Sequence, residues 1–237
     1  MNKTPIIIFP LEGMKEVTSG DQLAPMITQA AEIACDGFTH GDVVVVTSKI
    51  ISKAEGRVVV LASDDDAAKL SLVMAESSRI VRRRKGLIIT ETKHGFVCAN
   101  AGIDMSNIED GHAVLLPLDP DLSARRLRIE LQRLTGTEVA VIISDTFGRA
   151  WRIGQTDVAI GVAGMLATKE HKGTLDHMGR DLKVTNIAVA DELAGAAELV
   201  MGKADKIPVA VIRGYQTIPG RGNAASMVRP ADEDLFR

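Results

Sequence analysis

Short runs rich in valine and isoleucine constrain the fold of this chain more than any other feature of its sequence. Each run has the length of a β-strand and is bounded by Gly, Asp or Pro, residues that interrupt regular structure. The runs lie at residues 5–9, 42–47, 57–61, 86–92, 96–99, 139–144, 158–162, 182–189 and 208–213. The sequence therefore predicts a protein with many short strands.

Amphipathic segments separate these runs. Residues 22–35 and 122–134 place their apolar side chains at the spacing of one helix face. A third helix is predicted over residues 66–84. A fourth is predicted to begin at Asp191, as N-cap, and to end at Gly202. The alternation of helices and strands favours an α/β fold.

The runs 86–92 and 96–99 are separated only by Lys93-His94-Gly95, which predicts a hairpin and hence antiparallel pairing. The fold class is therefore mixed α/β, or α+β, with mixed sheets. The segment after Arg213 is rich in Gly, Pro and Asn and is predicted to be irregular. Residues 1–237 are expected to form one functional unit, and a division into two lobes stays open.

Composition excludes several classes of function. The chain has 237 residues with a net charge of −3 and 3% aromatic residues, so it lacks the basic surface and the stacking platforms of a nucleic-acid binder. Cys35 and Cys98 have no metal-binding spacing, and a disulfide is not expected. No apolar stretch is long enough to cross a membrane, and the N-terminal apolar run is too short for a secretion signal. We expect a cytoplasmic protein without nucleic-acid or membrane partners.

The stretch "ISDTFGRAWRIGQTD" concentrates polar side chains directly after an apolar run. Asp145 is expected at the carboxyl end of a buried strand, where open sheets collect ligands. Asp104 likewise follows a predicted strand. With Thr146, these carboxylates offer hard oxygen ligands suited to Mg²⁺ or Mn²⁺, ions that often bridge to phosphates. The alternative is that both aspartates only cap turns or helices.

Phosphate binding needs cations or backbone amides, but the chain has neither a Walker loop nor a GxGxxG segment opening a helix. Thr47-Ser48-Lys49 follows a four-valine run. If this segment is helical, Lys49 and Lys53 share a face and could meet a triphosphate. The alternative is that both lysines are simply solvated.

Two further basic clusters leave two interpretations open. Arg149 and Arg152 could clamp a carboxylate or phosphate through their guanidinium groups, or they could lie on a surface loop with Trp151 packed in the core. The run Arg82-Arg83-Arg84-Lys85 is more simply explained as cations at the end of the third helix than as an anion site. No histidine has the spacing of a catalytic or metal-binding motif.

Seven segments, in order along the chain, resemble the coenzyme F420-0:L-glutamate ligases, also called coenzyme F420:gamma-glutamyl ligases. They are "FPLEGMKEVTSGDQLA", "GDVVVVTSKIISKAEGR", "HGFVCANAGIDMSN", "LLPLDPDLSARRLR", "ISDTFGRAWRIGQTDVAIGVAG", "GRDLKVTNIAVADELAGAAELVMGKA" and "PVAVIRG". The closing "RPADEDLFR" is similar to the point in actinobacterial two-domain relatives where a second domain follows, so a bacterial form is expected.

The resemblance implies a GTP-dependent ligase in coenzyme F420 biosynthesis. The terminal carboxylate of coenzyme F420-0 would become an acyl phosphate, and L-glutamate would displace phosphate to give an amide, GDP and phosphate. Further gamma-linked glutamates could follow. The implied cofactors are Mg²⁺ or Mn²⁺, with GTP as co-substrate and K⁺ as a further candidate. The implied fold is an intertwined homodimer with mixed sheets.

The resemblance also assigns residues. Asp104 and Asp145 would hold one divalent ion, with Thr146 beside a second. Arg149, Arg152 and Arg180 are candidates for binding substrate carboxylates. The residues implied to contact the nucleotide are Met14, Lys15, Glu16, Val17, Ser48, Lys49, Lys53, Asn107, Met201, Gly202, Lys203 and Ala204.

Two positions depart from the family pattern. Lys203 stands where archaeal members carry an acidic residue, and a charged lysine cannot ligate a metal, so the ligands of a second ion are left open. Lys49 stands where an archaeal relative has a threonine, so a nucleotide contact through its backbone alone is left open. The departure at Lys203 leaves open a module that binds GTP or a deazaflavin without turnover. A third function considered is an acid kinase whose acyl phosphate passes to water or another amine.

Overall fold

A five-stranded sheet forms the centre of the protein in the computed structural model, which describes residues 4–61, 63, 66–106, 110–175 and 177–235. The strands β1 (Ile7–Pro10), β12 (Val209–Arg213), β2 (Val43–Thr47), β8 (Ala140–Arg149) and β9 (Arg152–Ala163) follow one another in this order across the sheet. Only β2 and β8 are parallel neighbours, while the other pairs are antiparallel. The predicted mixed α/β class is confirmed.

Helices cover both faces of this sheet. On one face, α1 (Leu23–Cys35), α2 (Ser48–Ala54) and α4 (Pro120–Thr135) pack on one set of alternating strand residues, which includes Val44 and Ile143. On the other face, α5 (Val189–Met201) packs on the intervening set, which includes Val45 and Ile142. Because both faces are buried, the central strands are apolar throughout, and each large aliphatic side chain contributes about 1.5–3 kcal/mol by burial.

A second, smaller sheet and two strand pairs complete the chain. The smaller sheet joins β4 (Ser77–Arg84), β5 (Leu87–Thr92) and β6 (Val97–Ala99) in antiparallel order. The pairs are β3 (Val58–Val60) with β7 (His112–Val114) and β10 (Lys169–Glu170) with β11 (Asn186–Ile187). Single 3₁₀ turns lie at Asn100–Gly102 and Ala225–Met227. The predicted hairpin is confirmed as β5–β6.

The third predicted helix is wrong over its second half. Helix α3 covers only Asp66–Ala75, and residues after Glu76 form β4 instead. The β4 strand is held by its ladder with β5, which runs from Ser77 opposite Thr92 to Arg84 opposite Leu87 and contains two irregularities in register. Long-range pairing has overridden local propensity here, so Arg82-Arg83-Arg84-Lys85 does not end a helix.

Two predictions near α5 also need correction. Of the run 182–189, only Asn186–Ile187 is strand, and helix α5 already begins at Val189. Asp191 is therefore not the N-cap but a residue of the first turn. Its Oδ1 accepts a hydrogen bond from the backbone N–H of Ala159 at 2.9 Å, which ties α5 to a bulge in β9. The predicted end at Gly202 is confirmed.

The N-terminus of α4 docks closely on the sheet. A side chain at Gly161 of β9 would place its Cβ 2.3 Å from the carbonyl oxygen of Pro120, so glycine is required there. Asp121 Oδ1 accepts backbone hydrogen bonds from Val162 at 2.8 Å and from Ala224 at 2.7 Å. Asp121 thereby joins the sheet edge to the irregular C-terminal segment, whose predicted lack of regular strands is confirmed over residues 214–235.

Both cysteines are buried free thiols, in agreement with the sequence. Burial raises the pKa of the Cys98 thiol to about 12, and the nearby charge of Asp145 adds to that effect. Over the described part of the chain, no helix combines the length and the hydropathy needed to span a bilayer.

Candidate functional site

The parallel strands β2 and β8 bring two polar segments to the same edge of the sheet. Their pairing ends with Thr47 opposite Ser144. Directly beyond this pair, β2 turns into α2 at Ser48, and β8 continues to Asp145 as the outer part of a hairpin with β9. The carboxyl ends of parallel strands are where open sheets place ligands. The expected position of Asp145 is confirmed, although β8 itself extends five residues further than its apolar run, to Arg149.

Asp145 is held by the first residue of α2. Ser48 Oγ donates a hydrogen bond to Asp145 Oδ1 at 3.0 Å, and Ser48 itself is only 6% exposed. Part of Asp145 remains accessible, but the surrounding protein desolvates its carboxylate, which raises its pKa to about 7. The hydrogen bond from Ser48 opposes this shift, and the charge of Asp157 adds to it. Asp145 does not cap a turn or helix.

Asp104 reaches the same segment of α2 from the connection between β6 and β7. Its carboxylate Oδ2 lies 2.7 Å from Lys49 Nζ, and its Oδ1 accepts the backbone N–H of Ser106 at 2.7 Å. Burial acts against ionisation, but the hydrogen bonds from Lys49 and Ser106 outweigh it and hold the pKa of Asp104 below its usual value. Backbone pairing with Val114 fixes the position of Asp104. Asp104 therefore both caps a turn and forms an ion pair.

Neighbouring residues of α2 thus connect the two predicted metal ligands. Ser48 binds Asp145, and Lys49 binds Asp104. The side chain of Lys49 is engaged through its ammonium group, and its exposed fraction is 22%. The interpretation of Lys49 as a simply solvated lysine is wrong.

Thr146 lies on the opposite face of β8 from Asp145, because successive strand residues alternate. Its Oγ1 donates a hydrogen bond to Asp157 Oδ1 at 2.7 Å, and Ser144 Oγ donates to Asp157 Oδ2 at 2.8 Å. Asp157 is 4% exposed. The sequence analysis did not select Asp157. Its position directly across the hairpin from Thr146 is the feature that would have revealed it.

The segments expected to line a nucleotide lie around α2. Glu16, in the loop after β1, forms an ion pair with Lys53, whose side chain is 11% exposed. Val17 is buried. Lys53 is therefore not a freely solvated lysine, and α2 confirms that Lys49 and Lys53 belong to one helix.

The last nucleotide segment follows α5. Met201 is buried as the final residue of that helix, while Gly202, Lys203 and Ala204 are exposed. The positive charge of Lys203 favours the ionised form of Asp145, so this segment lies near the site. Asn107 lies outside the described residues.

The candidate substrate arginines are all exposed. Arg149 and Arg152 face each other at the end of the β8–β9 hairpin, and Arg149 Nη2 donates to the carbonyl of Ile153 at 3.0 Å. Arg180 lies in the segment between β10 and β11. Trp151, at the turn of the hairpin, is 86% exposed, so the interpretation that packs it in the core is wrong.

A cleft of about 250 Å³ opens at the β8–β9 hairpin. Its walls include Phe147 and Val158, and Val158 pairs directly opposite Asp145 across the hairpin. The same cleft is lined by Asp191 and Arg229, which carry opposite charges. Burial raises the pKa of Asp191 above its usual value. The cleft thus adjoins Asp145 through Val158 and carries one acidic and one basic side chain.

The carboxylate oxygens of Asp104 and Asp145 are of the donor type that hard divalent cations prefer. Among the described residues, no group of three or more His, Cys, Asp or Glu side chains could hold a metal ion by itself. Mg²⁺, however, is commonly bound by one or two carboxylates together with waters and substrate phosphates. Desolvation and the charge of Asp157 disfavour the ionised carboxylate of Asp145, a condition that a bound cation would relieve.

Together these features define an open-sheet α/β protein with a carboxylate and lysine site at the carboxyl ends of its parallel strands. The family model described as F420-0:gamma-glutamyl ligase matches residues 13–214. The "Coenzyme F420:L-glutamate ligase" of Methanothermobacter thermautotrophicus is 43% identical over 98% of this chain and 99% of its own length. Proteins of the same name from Methanocaldococcus jannaschii and Archaeoglobus fulgidus are 45% and 40% identical, over 83% and 97% of this chain and 85% and 96% of their own lengths.

This chain therefore belongs to the F420-0:gamma-glutamyl ligase family. The resemblance identified from the seven sequence segments is confirmed.

Proposed function

We propose that this protein ligates L-glutamate to the terminal carboxylate of coenzyme F420-0 in coenzyme F420 biosynthesis, with GTP converted to GDP and phosphate. The observation that carries this proposal is the match over nearly its whole length to proteins named for this ligation. The cluster formed by Asp104, Asp145, Ser48 and Lys49 supports it, because a phosphoryl transfer depends on positioned charges.

The chemistry proceeds in two steps. A carboxylate oxygen of coenzyme F420-0 attacks the γ-phosphorus of GTP, and the bond to the bridging oxygen breaks to release GDP. The amine nitrogen of L-glutamate then attacks the acyl carbon, phosphate leaves with the electron pair of the broken C–O bond, and the nitrogen loses a proton. The first step converts a poor electrophile into one with a good leaving group.

The chain's own residues are assigned roles in these steps. Lys49 and Lys53 lie on one helix and offer ammonium groups to the phosphates. Asp104 and Asp145 would hold Mg²⁺ or Mn²⁺, with Thr146 near a second ion. When bound, such an ion neutralises phosphate charge and polarises the transferred group. The nucleotide would be lined by residues 14–17, by residues 201–204 and by Asn107.

The cleft at the β8–β9 hairpin is suited to L-glutamate. Its opposite charges, on Asp191 and Arg229, match an ammonium group and a carboxylate. With its pKa raised, Asp191 is also suited to accept the proton that the attacking amine releases. Arg149, Arg152 and Arg180 stay as further candidates for carboxylate binding.

Mass spectrometry tests the proposal directly. The purified protein is incubated with coenzyme F420-0, GTP, L-glutamate and Mg²⁺ or Mn²⁺, with and without K⁺. We expect a product heavier by one glutamyl unit, or by several where chain extension occurs, together with one GDP per bond. Tight GTP binding with no GDP release would favour a binding module, and glutamate-independent GDP release would favour an acid kinase. Light scattering on the same sample tests the proposed homodimer.

A further inference from the structure

A second cavity lies away from the nucleotide segments, between α3 and the β4–β5 hairpin. Its volume is about 370 Å³, within the range of small-molecule sites. Most of its wall is aliphatic. The apolar lining residues used here are Leu61, Leu70, Val73, Leu87, Ile88 and Ile103. Since 46% of Leu87 is exposed, the cavity is open to a ligand from solvent.

Cations surround this apolar interior. The lining includes Arg83, Arg84 and Lys85 at the end of β4 and its turn, and Lys69 on α3, against a single described acid, Asp66. The charges of residues 83–85 are not explained by a helix C-terminus, because Arg83 and Arg84 belong to β4 and Lys85 to the turn that follows it. Apolar walls with a cationic rim suit a ligand that combines an apolar ring with an anionic arm.

The cavity adjoins the candidate catalytic site through the backbone around Asp104. Ile103 and Met105, the residues on either side of Asp104, both line it. Asp104 itself faces Lys49. None of the residues 14–17, 48–53 or 201–204 contributes to the lining, so the cavity is separate from the segments assigned to GTP. An arm that leaves the cavity at Met105 would therefore approach Asp104.

We propose that this cavity binds the deazaflavin ring of the acid substrate, with Arg84 and its basic neighbours holding the anionic arm and directing the terminal carboxylate toward Asp104. The inference rests on the proposed ligase function and adds to it the binding site of the larger substrate. It assigns Arg84 to the anionic arm and Leu87 to the ring.

Two variants and one control separate these roles. Arg84→Glu reverses a charge in the lining, and Leu87→Asp places a charge against the ring. Arg82→Glu makes the same charge change in β4 outside the cavity lining. Equilibrium binding is followed by the fluorescence of two probes: coenzyme F420-0, and the deazaflavin chromophore without its anionic arm.

We expect Arg84→Glu to weaken binding of coenzyme F420-0 on the order of tenfold or more, with little effect on the chromophore alone. Leu87→Asp should weaken the binding of both probes to a similar degree. Arg82→Glu should leave the binding of both probes unchanged. In steady-state assays the KM for coenzyme F420-0 should rise in both cavity variants while the KM for GTP is unchanged. Circular dichroism and thermal unfolding verify that each variant is folded.

Unchanged binding of coenzyme F420-0 by folded Arg84→Glu and Leu87→Asp would overturn the assignment, even if the wild-type protein is an active ligase. Loss of dimerisation in these variants without loss of probe binding would also overturn it, and would make the cavity a contact between copies of the chain. Probe binding that responds as expected in a protein without ligase activity would retain the site and reject the proposed function.

Discussion

Lys49 Nζ lies 2.7 Å from Asp104 Oδ2, and this ion pair fixes a carboxylate from the β6–β7 connection against the first turn of α2. A divalent ion ligated by Asp104 would bind the same carboxylate that Lys49 contacts. Lys49 is then positioned to turn toward the phosphate that arrives with the ion, since a lysine ammonium is a mobile point charge. Under the proposed function, this pair would connect metal binding to nucleotide binding at a single side chain.

Asp145→Asn should lower ligase turnover by at least about a hundredfold, because it removes a proposed metal ligand while the amide oxygen can still accept from Ser48. The measurement is kcat at saturating Mg²⁺ or Mn²⁺. Glu130→Gln, which alters a surface carboxylate paired with Arg133 on α4, is the control and should retain full activity. Near-native turnover in Asp145→Asn would reject this metal assignment.

Asp145 should also make the stability of the metal-free protein depend on pH. Its pKa is raised from 3.8 to about 7 on folding, so the folded state holds a proton that the unfolded state has released. The free energy of unfolding should therefore fall as the pH rises through this interval, by at most about 1.4 kcal/mol per pH unit. Urea denaturation in the presence of a chelator measures this slope. The unfolding free energy of Asp145→Asn should depend less steeply on pH. An identical slope in the variant and the wild-type protein would contradict the raised pKa of Asp145.

Lys53→Met should weaken GTP binding on the order of tenfold, or about 1.4 kcal/mol, while keeping the apolar stem of the side chain. Isothermal titration calorimetry with GTP and Mg²⁺ measures the change. Lys172→Met, which removes an exposed lysine from the segment between β10 and β11, is the matched control. Equal GTP affinity in the two variants would show that Lys53 serves only its ion pair with Glu16.

Asp191→Asn should raise the KM for L-glutamate about tenfold and leave the KM for GTP unchanged, because it removes a charge from the cleft but keeps an acceptor for the N–H of Ala159. The pH dependence of kcat is the second readout, since loss of the carboxylate removes the proposed proton acceptor. If the KM values for L-glutamate and for GTP change together, Asp191 acts through the packing of α5.

Gly161→Ala should destabilise the fold by about 1–3 kcal/mol, because its Cβ would lie 2.3 Å from the carbonyl oxygen of Pro120 in α4. Gly148→Ala is the control on the neighbouring strand, where a Cβ has no neighbour within 4 Å. Thermal unfolding compares the two. Equal unfolding midpoints for the two variants would mean that α4 can move away from the added Cβ without loss of stability.

The sequence predicted the elements whose local pattern and tertiary environment agree. The apolar runs that became β2 and β8 are buried on both faces, and α1 and α4 have clear apolar stripes, so pattern alone located them. Residues 77–84 were misassigned because their strand character comes from pairing with β5, which no local pattern records. Trp151 was open to a core interpretation only because its residue type favours burial.

The candidate site was predictable in its residue types and less so in its contacts. Asp145 was located by the end of an apolar run, a signal that any buried strand provides. The pairing of Lys49 with Asp104, and of Lys53 with Glu16, joins segments far apart in the chain and needed the folded structure. Asp157 escaped notice because its partners, Ser144 and Thr146, become its neighbours only when the hairpin forms.

The alternation along β8 makes the chemistry of the site sensitive to insertions. Asp145 faces Ser48, whereas Thr146 faces Asp157, and the pairing of β2 with β8 sets which residue takes which side. Adding or deleting one residue between Ala140 and Ser144 would exchange the two faces, presenting a hydroxyl to α2 and a carboxylate to α5. Engineered length changes should therefore be confined to the turn at Trp151, where the chain can absorb them without reversing the site.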